Sequence, residues 1–135
     1  MAEAIMNRIG GEGFRAFSAT ETGPASINPM VADLLKSNRL PPVSQVPGTL
    51  EQFCADGAPL MDFVIMLQPR PSDEVIARIP GNPMKATWRI SDATPTETDP
   101  VILSTAMRKS FLELENRIKL FALVQQDSKS RKLAA

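Results

Sequence analysis

Met61-Asp62-Phe63-Val64-Ile65-Met66-Leu67 is almost continuously apolar. A strand covered on both faces of a parallel sheet reads this way, because helices on either side remove the polar alternation that a half-exposed strand keeps. Pro69-Arg70-Pro71 breaks the run, and Ser72-Asp73-Glu74 offers an N-cap and an acidic first turn for a short helix reaching Ile79. Pro80-Gly81-Asn82-Pro83 turns the chain again. In Lys85-Ala86-Thr87-Trp88-Arg89-Ile90, Ala86, Trp88 and Ile90 fall on one side and Lys85, Thr87 and Arg89 on the other, the pattern of a half-exposed edge strand. A polar loop runs from Ser91 to Thr98. Asp99-Pro100 then opens the longest helix, in which Leu103, Met107, Phe111, Leu114, Ile118 and Phe121 recur at steps of four and three. Gln125 to Ala135 is polar and mildly basic and reads as a frayed, solvated tail.

Upstream of the apolar run, Thr49 stands where a cap would for a short helical turn from Leu50 to Cys54. Asn28 as N-cap and Pro29 at the first helical position start a helix whose buried stripe is Met30, Leu34 and Leu35, and Leu40-Pro41-Pro42 stops it. Phe14-Arg15-Ala16-Phe17-Ser18-Ala19 reads as a short strand behind Gly10, Gly11 and Gly13, which end a first helix. That helix is already in progress at Met1-Ala2-Glu3-Ala4-Ile5-Met6-Asn7-Arg8, with Ile5 and Ile9 one turn apart on one face. A domain of this class ordinarily opens with a buried strand, and the turn between first strand and first helix is its usual anion site. Here the helix comes first. The order helix, strand, helix, short helix, strand, helix, strand, helix predicts an α/β fold, a three-layer doubly wound parallel sheet with its first strand missing.

Length and charge narrow the functional classes. With 135 residues, 43% of them hydrophobic, one domain with a real core is expected. Fifteen basic and fifteen acidic side chains cancel, so no global field favours nucleic acid or an anionic membrane, and neither is an expected partner. Histidine is absent and Cys54 is the sole cysteine, which removes disulfide frameworks, zinc sites and histidine acid/base chemistry, and no metal or cofactor is expected. No apolar run approaches the ~20 residues of a membrane span and Met1 opens no signal-peptide pattern, so the cytoplasm is the expected compartment.

Five features, in order and spacing, carry a resemblance: Met1-Ala2-Glu3-Ala4, Phe17-Ser18-Ala19, Asn28-Pro29, Met61-Asp62-Phe63-Val64, and Pro80-Gly81-Asn82-Pro83-Met84 through Trp88 to Asp92. Together they resemble the low-molecular-weight protein tyrosine phosphatase family, especially its arsenate-reductase-like branch, from Met1 to about Phe121. The resemblance implies a truncated domain of this type over residues 1–124, with 125–135 as the polar tail. In that family a phosphate loop, a cysteine, five residues, an arginine and a serine, directly precedes Met-Ala-Glu. These 135 residues start just past that point, and Met1 as an internal methionine of a longer gene product is one reading of this.

The loop works because backbone N–H groups, a helix N-terminus and the arginine fork converge on a tetrahedral oxyanion and lower the cysteine pKa, so that the thiolate attacks phosphorus or arsenic. Cys54 does not substitute. It lies in Glu51-Gln52-Phe53-Cys54-Ala55-Asp56, without a glycine-rich cradle or a following arginine, and reads as a buried structural thiol. The branch's further relay cysteines are also absent, that stretch reading Gln68-Pro69-Arg70-Pro71-Ser72. What the resemblance carries over is Asp92, at the place of the family's general acid, although Ala93 stands where proline is usual. A loop aspartate bonding its own backbone is the other reading of Asp92. Asp99, followed by Pro100, competes for the acid role but is explained as a helix cap. Arg70 and Arg78 read as solvated charge, and Trp88 with Phe63 as core or edge cover.

Two functions follow as expectations. In the first, the complete protein is a cytoplasmic phosphatase or arsenate reductase with a cysteine nucleophile and Asp92 as acid, its oxyanion substrate bound only with the loop restored, and the chain as written is inactive. In the second, it is a degenerate homologue acting as a binding or regulatory module. Either way the sheet edges left by a missing strand invite self-association.

Overall fold

The structure, a computed structural model, describes residues 1–20, 28–41, 48–67, 73–90 and 98–134. Its elements are α1 (Ala2–Gly10) with a 3-10 turn (Gly11–Gly13), β1 (Ala19–Thr20), α2 (Pro29–Ser37), β2 (Gly48–Thr49), α3 (Leu50–Cys54), β3 (Phe63–Met66), α4 (Asp73–Ala77), β4 (Met84–Thr87) and α5 (Pro100–Ala134). The chain is mixed α/β, and its strands form two small parallel sheets, β1 with β2 and β3 with β4. It divides into two compact units. One comprises Met1–Phe17, Ile27–Ser44 and Ser91–Ala135, the other Ser18–Ser26 and Gln45–Ile90.

The first unit is helical. Ala4 and Ile5 of α1, Leu35 of α2, Leu40, and Phe111, Leu114, Ile118 and Ala122 of α5 are all buried, and α1 and α2 both pack on α5. The four-and-three spacing on α5 places Phe111, Leu114 and Ile118 on one buried face, as its repeat predicts, with Ala122 beside them, while Leu103, Met107 and Phe121 of the same repeat are half-buried. Ser110 is buried beside them, its hydroxyl donating to the Ala106 carbonyl at 3.1 Å, so no polar group is stranded there. Phe14 meets Phe121 with ring centroids 6.1 Å apart and planes tilted by 52°, a favourable offset for two aromatic quadrupoles. Gly10 makes room for Phe14: a Cβ there would stand 2.6 Å from the Phe14 Cβ.

The helix ends are built from local chemistry. Asn28 Oδ1 accepts from the Met30 N–H at 2.9 Å with Pro29 at the first helical position. At the other end of α2, Arg39 takes φ +57°, the Leu40 N–H reaches the Leu35 carbonyl at 2.9 Å, and Leu40 is buried, the left-handed closure that usually falls to glycine. Arg8 of α1 donates to the Asn38 carbonyl there at 2.7 Å, setting a cation at the negative end of α2. Gly11, at φ +52°, ends α1.

Several expectations are corrected. The segment from Phe14 to Ala19 is not a strand along its length, β1 being only Ala19–Thr20. The reason is visible at Ala16: Asn7 Oδ1 accepts its N–H at 2.7 Å and Asn7 Nδ2 donates to its carbonyl at 3.2 Å. One side chain thus takes both backbone groups that a neighbouring strand would need. β2, where Gly48–Thr49 pairs with Ala19–Thr20, is a strand that the sequence pattern does not predict. The apolar run yields β3, but only Met66 is buried and the other three residues are half-buried, so it is not covered on both faces. β4 spans only Met84–Thr87 and is exposed at all four positions, Ala86 included; just past it Trp88 and Ile90 are half-buried while Lys85, Thr87 and Arg89 are exposed, so the alternation holds except at Ala86. Residues 125–134, expected as a frayed tail, continue α5 as helix.

Within the second unit β3 and β4 run parallel and are joined through α4, with Phe63, Val64, Ile65 and Met66 opposite Met84, Lys85, Ala86 and Thr87. The ladder continues as Met84 N–H to Asp62 carbonyl and Trp88 N–H to Met66 carbonyl, both at 2.9 Å. Ile76 and Ile79, from α4 and the turn after it, are buried.

Candidate functional site

The residue that the resemblance puts forward, Asp92, lies outside the described residues, as does Arg70. Its sequence position is five residues past the end of β4 at Thr87, on the segment leading towards α5.

The competing aspartate is resolved. Asp99 accepts the Val101 N–H on Oδ1 at 2.9 Å, and its carbonyl accepts the Leu103 N–H at 3.0 Å. With Pro100 at the first helical position, Asp99 is the N-cap of α5, its carboxylate also facing the positive end of a helix dipole. A carboxylate so engaged has a structural task.

Cys54 ends α3, a helix of five residues, and is a free thiol. It is half-buried rather than buried, which corrects the expectation of an enclosed thiol. Neither its position at a helix C-terminus nor the following Ala55-Asp56-Gly57 supplies the converging N–H groups that hold a thiolate. Arg78 is exposed in the turn after α4, its backbone N–H bonded to the Val75 carbonyl at 3.2 Å. Trp88 and Phe63 are both half-buried and sit at opposite ends of the β3–β4 ladder.

At the start of α1, Met1 occupies the N-cap position without a side-chain cap bond, and the Ile5 N–H donates to the Met1 carbonyl at 3.1 Å. Burial pushes the Met1 amino group below its ordinary pKa, with the Glu3 carboxylate opposing that shift. Among the described residues no group of three His, Cys, Asp or Glu side chains is placed to hold a metal ion, and no helix is long and apolar enough to cross a membrane.

Among the described residues the structure brings together none of the sequence-derived candidates. Two polar contacts, Asn7 with Ala16 and Arg8 with the end of α2, join α1 to its neighbours. Nothing in the spacing of Asn7 and Ala16 marks that clasp beforehand. No family model matches this chain, and no curated protein matches it.

Proposed function

We propose that this chain is an α/β domain of the low-molecular-weight phosphatase and arsenate reductase type that, as written, carries no catalytic nucleophile and needs a cysteine-x5-arginine loop to act on an oxyanion. The observation that supports this reading is the parallel β3–α4–β4 unit, which gives the order that the type requires and is followed by the segment bearing Asp92. In an α/β sheet, ligands sit beyond the carboxyl ends of parallel strands, and Asp92 follows the carboxyl end of β4. Its role in this reading is general acid toward the leaving group.

Activity assays test the proposal. Residues 1–135 should hydrolyse no aryl phosphate and reduce no arsenate, and Cys54→Ser should change nothing; a rate that depends on Cys54 would sink the reading. A protein extended at Met1 by a strand and the cysteine-x5-arginine-serine loop should gain activity. In that form Asp92→Asn should slow leaving-group protonation by the roughly 10²–10⁴-fold that general acids contribute. Asp99→Asn should chiefly weaken the α5 cap.

The same reading predicts marginal stability for the strand-bearing unit. Among the described residues each strand has one strand neighbour, and two-stranded pairs are marginal without a third strand or a covering layer. Added strand and loop, joined covalently or supplied as a peptide, should raise the unfolding temperature; no change on either addition would count against it. Without them the sheet edges should pair with other copies.

A further inference from the structure

Asp56-Gly57 is the one place in the 135 residues where glycine follows an aspartate or an asparagine. The pair forms the corner of a turn between α3 and β3, with the Ala58 N–H donating to the Ala55 carbonyl at 3.2 Å and Gly57 at φ +83°. A turn of this kind takes glycine at its third position because φ there is positive. Both corner residues are exposed, and a Cβ built on Gly57 would meet nothing within 4 Å. Among the described residues no hydrogen bond or ion pair engages the Asp56 carboxyl group or the Gly57 N–H. An electrophilic carbon and the nitrogen next to it in the chain are thus both open to solvent and untethered.

We propose that Asp56-Gly57 is a site of spontaneous covalent modification, at which the backbone isomerises to isoaspartate through a cyclic imide. The Gly57 nitrogen bonds to Asp56 Cγ, and a carboxyl oxygen leaves as water, taking one proton from the Gly57 N–H and one from the carboxyl group in its acid form. Nothing is oxidised or reduced. Water then adds to one of the two imide carbonyls and breaks its bond to nitrogen. Opening at Cγ restores aspartate, whereas opening at the Asp56 main-chain carbonyl leaves the chain running through Cβ and Cγ with the α-carboxylate as a branch. The product has the original mass and a main chain longer by one methylene, so the Ala58-to-Ala55 closure is lost in modified molecules. Glycine decides the place, because no side chain hinders its nitrogen and its backbone turns freely to bring the nitrogen to Cγ. The other described aspartates lack this freedom. Asp33 and Asp127 lie within α2 and α5, where the next N–H is committed to the helix ladder. Asp62 and Asp73 precede Phe63 and Glu74, whose side chains crowd the approach, and Pro100 after Asp99 has no N–H to give.

Incubation of the full chain in warm neutral buffer, followed by peptide mapping with electron-transfer fragmentation, tests the proposal. Isoaspartate should accumulate at residue 56, preceded by a species one water lighter, while Asp33, Asp62 and Asp127 stay unchanged over the same period. A methyltransferase specific for isoaspartyl carboxylates, supplied with a labelled methyl donor, should label the aged chain above the fresh one. Asp56→Glu keeps the turn's glycine but disfavours the ring, and should lose the modification and its label. Asp56→Asn should reach the same product faster, releasing ammonia in place of water. In the folded chain the rate at Asp56 should fall no more than about tenfold below that of the same chain in denaturant, the factor that one net hydrogen bond can withhold. Asp56 persisting unchanged in the folded chain while it converts in denaturant overturns the proposal. So does methyl label undiminished in Asp56→Glu.

Discussion

The two compact units of this chain solve the burial problem to different extents. Among the described residues the helical unit buries Ala4, Ile5, Leu35, Leu40, Phe111, Leu114, Ile118 and Ala122, whereas the strand-bearing unit buries Met66, Ile76, Ile79 and Pro83. A helix satisfies its own backbone and needs only one covered stripe, so three helices suffice to make a core. A strand satisfies half of its backbone with each neighbour and needs a layer on its face as well. β4 is exposed along its whole length, and Met84 within it is 69% exposed. The difference is thus one of what each kind of element requires from the rest of the chain.

Phe111→Ala is the strongest test of that contrast. Removing a fully buried aromatic should cost the helical unit about 3–5 kcal/mol, read by chemical denaturation, while amide exchange on β3 and β4 stays unchanged. Collapse of the β3–β4 amides together with those of α5 would mean that the two regions unfold as one and would break the comparison. Asn7→Ala sharpens it at the next level. Losing both bonds to Ala16 should cost about 1–2 kcal/mol, and exchange at the Ala16 amide should accelerate more than at its neighbours. An unaltered Ala16 amide would show that the clasp contributes nothing. Asn28→Ala should cost about 1 kcal/mol through loss of the α2 cap, with Asn28→Asp close to neutral. Equal losses from the two would assign the effect to something other than capping.

What could be read from the sequence follows the same division. Helix signals are local: Asn28-Pro29, Asp99-Pro100 and the recurrence from Leu103 to Phe121 each occupy a few turns, and each reappears at its place in the structure. Strand signals depend on partners elsewhere. Gly48-Thr49 is a strand only because Ala19-Thr20 lies beside it, and Ala16 is withheld from a sheet by a side chain nine residues earlier. The apolar run at Met61–Leu67 correctly marks a strand, yet its composition does not reveal that Phe63, Val64 and Ile65 are only half covered. The candidate acid rests on the sequence resemblance alone, because Asp92 falls outside the described residues. Asp99 was separable from it beforehand, since Asp-Pro at a helix start has a sufficient explanation in capping.

The packing of α1 on α5 has a consequence for synthesis. These helices are far apart in the sequence, and α5, on which α1 packs, is made long after it. At about 5–20 residues per second, the roughly hundred residues separating Ile5 from Phe111 take about 5–20 s to emerge. During that interval Ile5 and Leu35 have no α5 to bury against, whereas β3 meets β4 after only some twenty further residues. The weaker unit is therefore completed first, and the nascent chain carries its most adhesive helix faces open until α5 arrives, the period in which a holding chaperone has most to bind.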